Sequence, residues 1–318
     1  MIYIALGLIL FIIEYLYIRA AKKFNIFDYP NERSSHQVVT VRGGGILILF
    51  SVLFYSILSN NWNAMILGAL IVGIFSFWND IRPVRQIYRA GVQLLAVQLI
   101  FYETGFTYLN WYWVVAGFLL TVGWINAFNF MDGINGITVF YSSVSLAIFY
   151  WIPDLVEFQQ FIKFVGLSVL IFGFFNVRKK AVTFLGDVGS ITIAFILAYL
   201  MITLIVETYQ WEYVLFFSIY GIDTVVTLVQ RLIRKENIFS SHRSHLYQYL
   251  TNEKKWSHLF VSTLYALLQG IINLALIFFI IPHPHSAAIS ISLLIILGLT
   301  YTILKYQIIH SIQHPIKS

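Results

Sequence analysis

Apolar runs long enough to cross a bilayer follow one another from one end of this chain to the other, and no block of soluble-domain size is left between them. They cover roughly residues 2–20, 44–59, 63–78, 88–103, 111–128, 136–152, 159–176, 189–206, 211–230, 258–281 and 286–309. A helix needs about 20 apolar residues to span the hydrocarbon core. The runs at 44–59 and 63–78 are short by that measure. Only 11% of the 318 residues are charged, where a soluble domain carries about 25%. So few charges cannot solvate a globule of this size, and lipid is the solvent for most of the chain. The expectation is an all-α polytopic membrane protein with about 10–11 transmembrane helices in a single integral membrane domain, 1–318. The first run lacks a basic N-terminal region and a small-residue cleavage site, so it reads as a retained span. With no cysteine, disulfides, thiolate metal sites and thiol nucleophiles are excluded.

Alternating the connections across a membrane sorts the basic residues. Nineteen of the 20 fall on one side, among them Lys22, Lys23, Arg42, Arg82, Arg85, Arg178, Lys179, Lys180 and Arg234; only Lys163 falls on the other. Basic residues accumulate on the cytoplasmic side, so the N-terminus is expected outside and the C-terminus inside. Trp62, Trp111, Trp113, Trp151 and Trp211 cluster near the opposite ends, as an interfacial aromatic belt does. The net charge of +6 is explained by this asymmetry and calls for no nucleic-acid partner.

The polar residues with chemistry to offer lie in the same basic-side connections. Asp28 to His36, including Arg33, leads to Arg42-Gly-Gly-Gly45, where glycines at a helix start let backbone N–H groups approach a phosphate or simply ease entry into the second span. Asn79-Asp80 precedes Arg82, Arg85 and Arg89, which suit a phosphate-bearing substrate or ordinary cytoplasmic charge. Asn126, Asn129 and Asp132, three apart, share one side of a helix that ends at Gly133, Asn135 and Gly136. Such groups at the end of a lipid-embedded helix are costly unless they face protein, water or ligand. Phe184-Leu-Gly-Asp187 opens the eighth run; Asp187 is either an N-cap or a carboxylate open to Mg²⁺. Ser241-His242-Arg243-Ser244-His245 suits a pyrophosphate or acidic head group, or is a neutral surface pair. Asp223 in the ninth run reads as structural or site-lining. A cytoplasmic-face site of carboxylates, amides and basic groups is what metal-assisted phosphoryl transfer requires.

In this order, DYPNERSSH with RGGG, Asn79-Asp80, NAFNFMDGING, FLGDVGS, the Asp223–Arg231 stretch and HRSH resemble the motifs of the polyprenyl-phosphate N-acetylhexosamine-1-phosphate transferases, glycosyltransferase family 4. That superfamily includes phospho-N-acetylmuramoyl-pentapeptide transferase and the UDP-GlcNAc:undecaprenyl-phosphate transferases. The resemblance implies a bacterial enzyme of the cytoplasmic (inner) membrane. It transfers a sugar-1-phosphate from a UDP-sugar to a polyprenyl (undecaprenyl) phosphate, releases UMP, and uses Mg²⁺, with Mn²⁺ as a substitute. It implies Asp187 and Asp132 as metal ligands, and Asp80, Asp132, Asp187, His242 and His245 as catalytic. Asn126, Asn129, Asn135, Arg89, Phe184, Arg33, His36 and Arg243 are implied substrate contacts, Phe184 by stacking on uracil. A homodimer is an allowed assembly. Asn79 and Asn135 stand where the family often has aspartate. The Asn-Phe-Met-Asp-Gly and FLGDVGS segments look more like those of initiators of surface polysaccharide and O-antigen (lipopolysaccharide) synthesis than of the peptidoglycan enzyme. No long insert is present to read a peptide stem, so a UDP-N-acetylhexosamine such as UDP-N-acetylglucosamine is favoured over UDP-MurNAc-pentapeptide. Rival classes are a transporter or flippase, which places charge near the bilayer midplane, and a non-catalytic scaffold.

Overall fold

The computed structural model describes residues 2–30, 34–237 and 243–314. Among these, helices dominate: α1 Ile2–Lys23, α2 Ile46–Ser59, α3 Ala64–Ile81, α4 Gln86–Glu103, α5 Trp111–Met131, α6 Ile137–Trp151, α7 Gln159–Asn176, α8 Gly186–Thr208, α9 Ser218–Ile233, the single turn α10 Leu246–Gln248, α11 His258–Ala275 and α12 Ser286–Gln313. Each predicted run holds one of the eleven longer helices. Eight of them, with the turns that extend α7, α9 and α11, are long and apolar enough to cross a membrane. The other three are α2 and α6, which are short, and α4, which carries Arg89, Gln93, Gln98 and Glu103.

Two helices mark the extremes of burial. Helix α8 is apolar all round and buried all round, from Asp187 to Leu204, with α3, α5, α2 and α6 packed about it. Helix α12 is as apolar but leaves Ile291, Ile295, Ile296, Leu299 and Ile303 exposed. An apolar surface of that kind suits lipid, since helices hydrophobic on every side belong in a core or a membrane.

The connection between α1 and α2 is anchored by a short antiparallel pair, β1 Phe27–Asp28 and β2 Thr40–Val41. Val41 also bridges to Thr183, just before α8. The pairing continues as Phe184 N–H donates to Val41 O at 2.8 Å, Gly44 N–H to Phe184 O at 2.9 Å and Gly45 N–H to Leu185 O at 2.9 Å. Glycine is needed here because a Cβ on Gly45 would overlap the Cα of Gly189. The glycines of RGGG therefore join two stretches of backbone. Of the two sequence readings of these glycines, phosphate approach or entry into the second span, the first is not available to the N–H groups of Gly44 and Gly45, which are already taken by carbonyls.

Candidate active site

A polar hollow of about 320 Å³ opens where several helix ends meet. Its walls come from the α1–α2 connection (Asp28, Ser34, Ser35, His36, Arg42), the end of α5 and its turn into α6 (Asn129, Asp132 to Asn135), the end of α7 (Asn176), the start of α8 (Phe184 to Asp187) and the segment from α10 to α11 (Gln248, His258). That volume is within the usual range for small-molecule sites.

Asp187 is its most heavily coordinated carboxylate. Its Oδ1 accepts from an Arg42 Nη at 2.9 Å. Its Oδ2 accepts from Asn79 Nδ2 at 2.7 Å and pairs with Arg89 at 3.2 Å. Position 79 thus holds a donor, which an aspartate at neutral pH would not supply. Asn79 Oδ1 in turn accepts from Val84 N–H at 2.8 Å, fixing the amide's orientation.

Asp80 stands behind the hollow, with its side chain fully buried. It accepts the N–H groups of Asp187 at 2.9 Å and Val188 at 3.0 Å and pairs with Arg42 Nε at 2.7 Å. These are the first free N–H groups of α8, so a side chain at the end of α3 caps another helix. The resemblance implied Asp80 as a catalytic group together with Asp132 and Asp187. The structure brings the latter two to the hollow and holds Asp80 one layer back, because capping and the Arg42 pair occupy its oxygens. Gly186, at φ +73°, makes the tight turn possible; a Cβ there would press on Asp80 Oδ2.

Asp132 ends α5, and its Oδ1 accepts from Thr138 Oγ1 at 2.6 Å. Burial pushes this carboxyl up to about 7; the Thr138 hydrogen bond draws it down, the Asp187 charge pushes it up and Arg42 draws it down. Asn129 Oδ1 accepts from Ser190 Oγ at 2.8 Å, tying α5 to α8. Asn135 lines the hollow while its Nδ2 donates to Arg178 O at 2.8 Å, again a role for an amide donor. The edge of His36 meets the Phe184 ring, with centroids 4.7 Å apart.

Of the sequence candidates, Arg89 meets Asp187 from outside the hollow's lining, and three more lie elsewhere. Asn126 Nδ2 donates to Gln93 Oε1 at 2.8 Å between α5 and α4, away from the hollow's lining. Arg243 pairs with Glu253 at 3.0 Å. His245 is buried with Nδ1 2.7 Å from Asp223 Oδ1, and the other Asp223 oxygen accepts from Tyr265 Oη at 2.7 Å. Arg33 and His242 lie outside the described residues. Arg42, by contrast, was noted only as cytoplasmic charge and as the start of RGGG. It bridges Asp80 and Asp187, a relation that no local pattern encodes. Gln248 and His258 also line the hollow, and no motif marks them.

No group of three or more His, Asp or Glu side chains arranged around an ion occurs among the described residues. A site built from protein ligands alone is therefore not present in them. Three carboxylates line the hollow. Asp28 lies beside His36 at 3.8 Å; Asp132 and Asp187 suit Mg²⁺, which takes one or two carboxylates and completes its shell with substrate phosphates and water.

The family model described as glycosyl transferase family 4 matches residues 62–205. The phospho-N-acetylmuramoyl-pentapeptide-transferase of Thermotoga petrophila is 29% identical over 207 residues, covering 59% of this chain and 67% of that protein. The Thermotoga maritima protein of the same name is 26% identical over 254 residues, covering 73% and 82%. That of Streptococcus pneumoniae serotype 19F is 28% identical over 207 residues, covering 58% and 62%.

Proposed function

We propose that this chain, a member of glycosyl transferase family 4, transfers an N-acetylhexosamine-1-phosphate from its UDP-sugar to undecaprenyl phosphate and so starts a cell-surface glycan. The observation that carries this reading is the pairing of Asp132 and Asp187 in one polar hollow, beside Arg42, at the ends of membrane-type helices. An amphiphilic acceptor and a water-soluble nucleotide sugar must meet at such a place. The asymmetry of basic residues supports a cytoplasmic face, and the bacterial relatives support a bacterial cytoplasmic membrane.

In the reaction, an oxygen of the lipid phosphate attacks the β-phosphorus of the UDP-sugar. The bond from that phosphorus to the bridging oxygen breaks, and UMP leaves with that oxygen on its phosphate. Phosphoryl transfer of this kind depends on positioning and charge stabilisation. Asp132 and Asp187 would hold Mg²⁺, which when bound offsets the charge of the diphosphate. Arg42 and Arg89 present guanidinium groups suited to phosphate oxygens. Phe184, whose ring packs at a steep angle against that of His36, offers an aromatic group for stacking on uracil.

A second reading keeps the chemistry and changes the sugar. The relatives' name supports phospho-MurNAc-pentapeptide as the transferred group. One experiment separates the two: purified protein with Mg²⁺, undecaprenyl phosphate and a panel of UDP-sugars, with UMP measured and the lipid product weighed. UMP release and a polyprenyl-diphospho-HexNAc are expected. Release only with UDP-MurNAc-pentapeptide selects the second reading. Release with no nucleotide sugar sinks both and returns attention to a transporter.

A further inference from the structure

Asp187 presents a problem of charge. As the carboxylate best placed to hold a divalent ion, it already accepts from Arg42, Arg89 and Asn79, two of them cationic. A carboxylate has about four lone-pair sites, so three donors leave little room. An ion approaching it also meets two guanidinium groups at close range, and like charges repel steeply in a partly desolvated site. Both arginines are partly exposed toward solvent, with side chains 32% and 26% accessible. They can therefore swing to a ligand, whereas Asn79 is locked by Val84.

A diphosphate changes the balance. The guanidinium fork matches phosphate oxygens in paired hydrogen bonds at least as well as it matches a carboxylate. A nucleotide diphosphate in the hollow competes with Asp187 for Arg42, which lines it, and for Arg89, which lies outside the lining but pairs with the Asp187 carboxylate at 3.2 Å; each arginine that turns to it uncovers a carboxylate oxygen.

We infer that Arg42 and Arg89 are positioning residues that keep Asp187 closed to the divalent cation until a nucleotide diphosphate draws them away, which makes metal capture conditional on the donor substrate. This rests on the transferase reading and adds an order of assembly to it. The device would keep a charged site in a membrane protein neutral between turnovers.

The test is Mn²⁺ binding to the purified full chain in detergent, followed by the loss of the free-ion paramagnetic signal, with no nucleotide present. Arg42→Gln and Arg89→Gln are each expected to bind Mn²⁺ about tenfold more tightly than the parent protein, within the usual range of site coupling. Arg89→Gln is the decisive arm, since it leaves the Arg42–Asp80 pair in place. Equal or weaker Mn²⁺ binding in both variants overturns the inference and leaves the transferase reading standing. A companion titration with UDP-GlcNAc present compares the parent with Asp187→Asn. Loss of Mn²⁺ in the variant supports Asp187 as the ligand; undiminished binding removes the metal role of Asp187 and this inference with it.

Discussion

The Asp80 carboxylate receives the backbone N–H of Asp187 at 2.9 Å, so the residue that faces the hollow is held by the one behind it. Asp80→Ala removes a cap and leaves Arg42 with one fewer partner. A loss of about 2–4 kcal/mol is expected, from the costs of an absent cap and a broken buried pair. Thermal unfolding in detergent would register it. Asp80→Asn keeps one acceptor and should lose less; equal losses would argue against capping.

Asp187→Asn and Asp132→Asn should each lower turnover about 10²-fold or more, as removal of one preorganised electrostatic group does, in protein that still unfolds cooperatively. UMP release and thermal melts on the same preparations measure both. Parent-like rates in both variants would remove the site.

Asp132 sets a pH dependence whose sign is fixed by its raised value. An unfolded aspartate releases its proton near pH 3.9; the folded one keeps it up to about 7. Over that window the native state binds the extra proton, so the stability is fully present below the unfolded value and is lost as pH rises through about 7. In a chelator, the melting temperature of the parent relative to Asp132→Asn should therefore fall between about pH 4 and about pH 7 and level off above that. A flat difference would contradict the raised value.

His245 is expected to behave as a structural partner. His245→Ala leaves Asp223 buried without its 2.7 Å contact, at a cost of about 3–5 kcal/mol. Melting should drop while the KM for the nucleotide sugar in the surviving fraction stays near the parent's. A variant that melts normally but has no turnover would return His245 to the chemistry.

Phe184→Ala should raise the KM for the UDP-sugar about tenfold, in keeping with stacking of about 1–3 kcal/mol per base. Phe184→Tyr should restore it. An unchanged KM in the alanine variant would place the uracil elsewhere.

The helices were legible because apolar run length is a local property that bilayer thickness converts directly into structure. Asp132 and Asp187 were legible because each is a carboxylate beside glycine at the end of an apolar run. Arg42 was not, since its meaning depends on Asp187, 145 residues away. The pattern Ser-His-Arg-Ser-His suggested an open site, but Asp223, 22 residues earlier on α9, draws His245 into the interior. The triple glycine left two readings open for a related reason: its partner is backbone from a distant segment. Asn79 and Asn135 looked like weakened copies of acidic residues, and only the paired atoms reveal them as donors.

The stitching of Val41 to Thr183 also bears on biogenesis. A ribosome delivers Arg42 long before it delivers Asp187, and six helices, α2 to α7, leave the exit tunnel in the interval. Until α8 arrives, the β2 edge lacks its mate and Arg42 lacks both the carboxylate of Asp187 and the helix start that Asp80 caps. Nascent chains arrested short of that point should be fair game for membrane proteases, and resistance should set in abruptly once the eighth helix has been inserted.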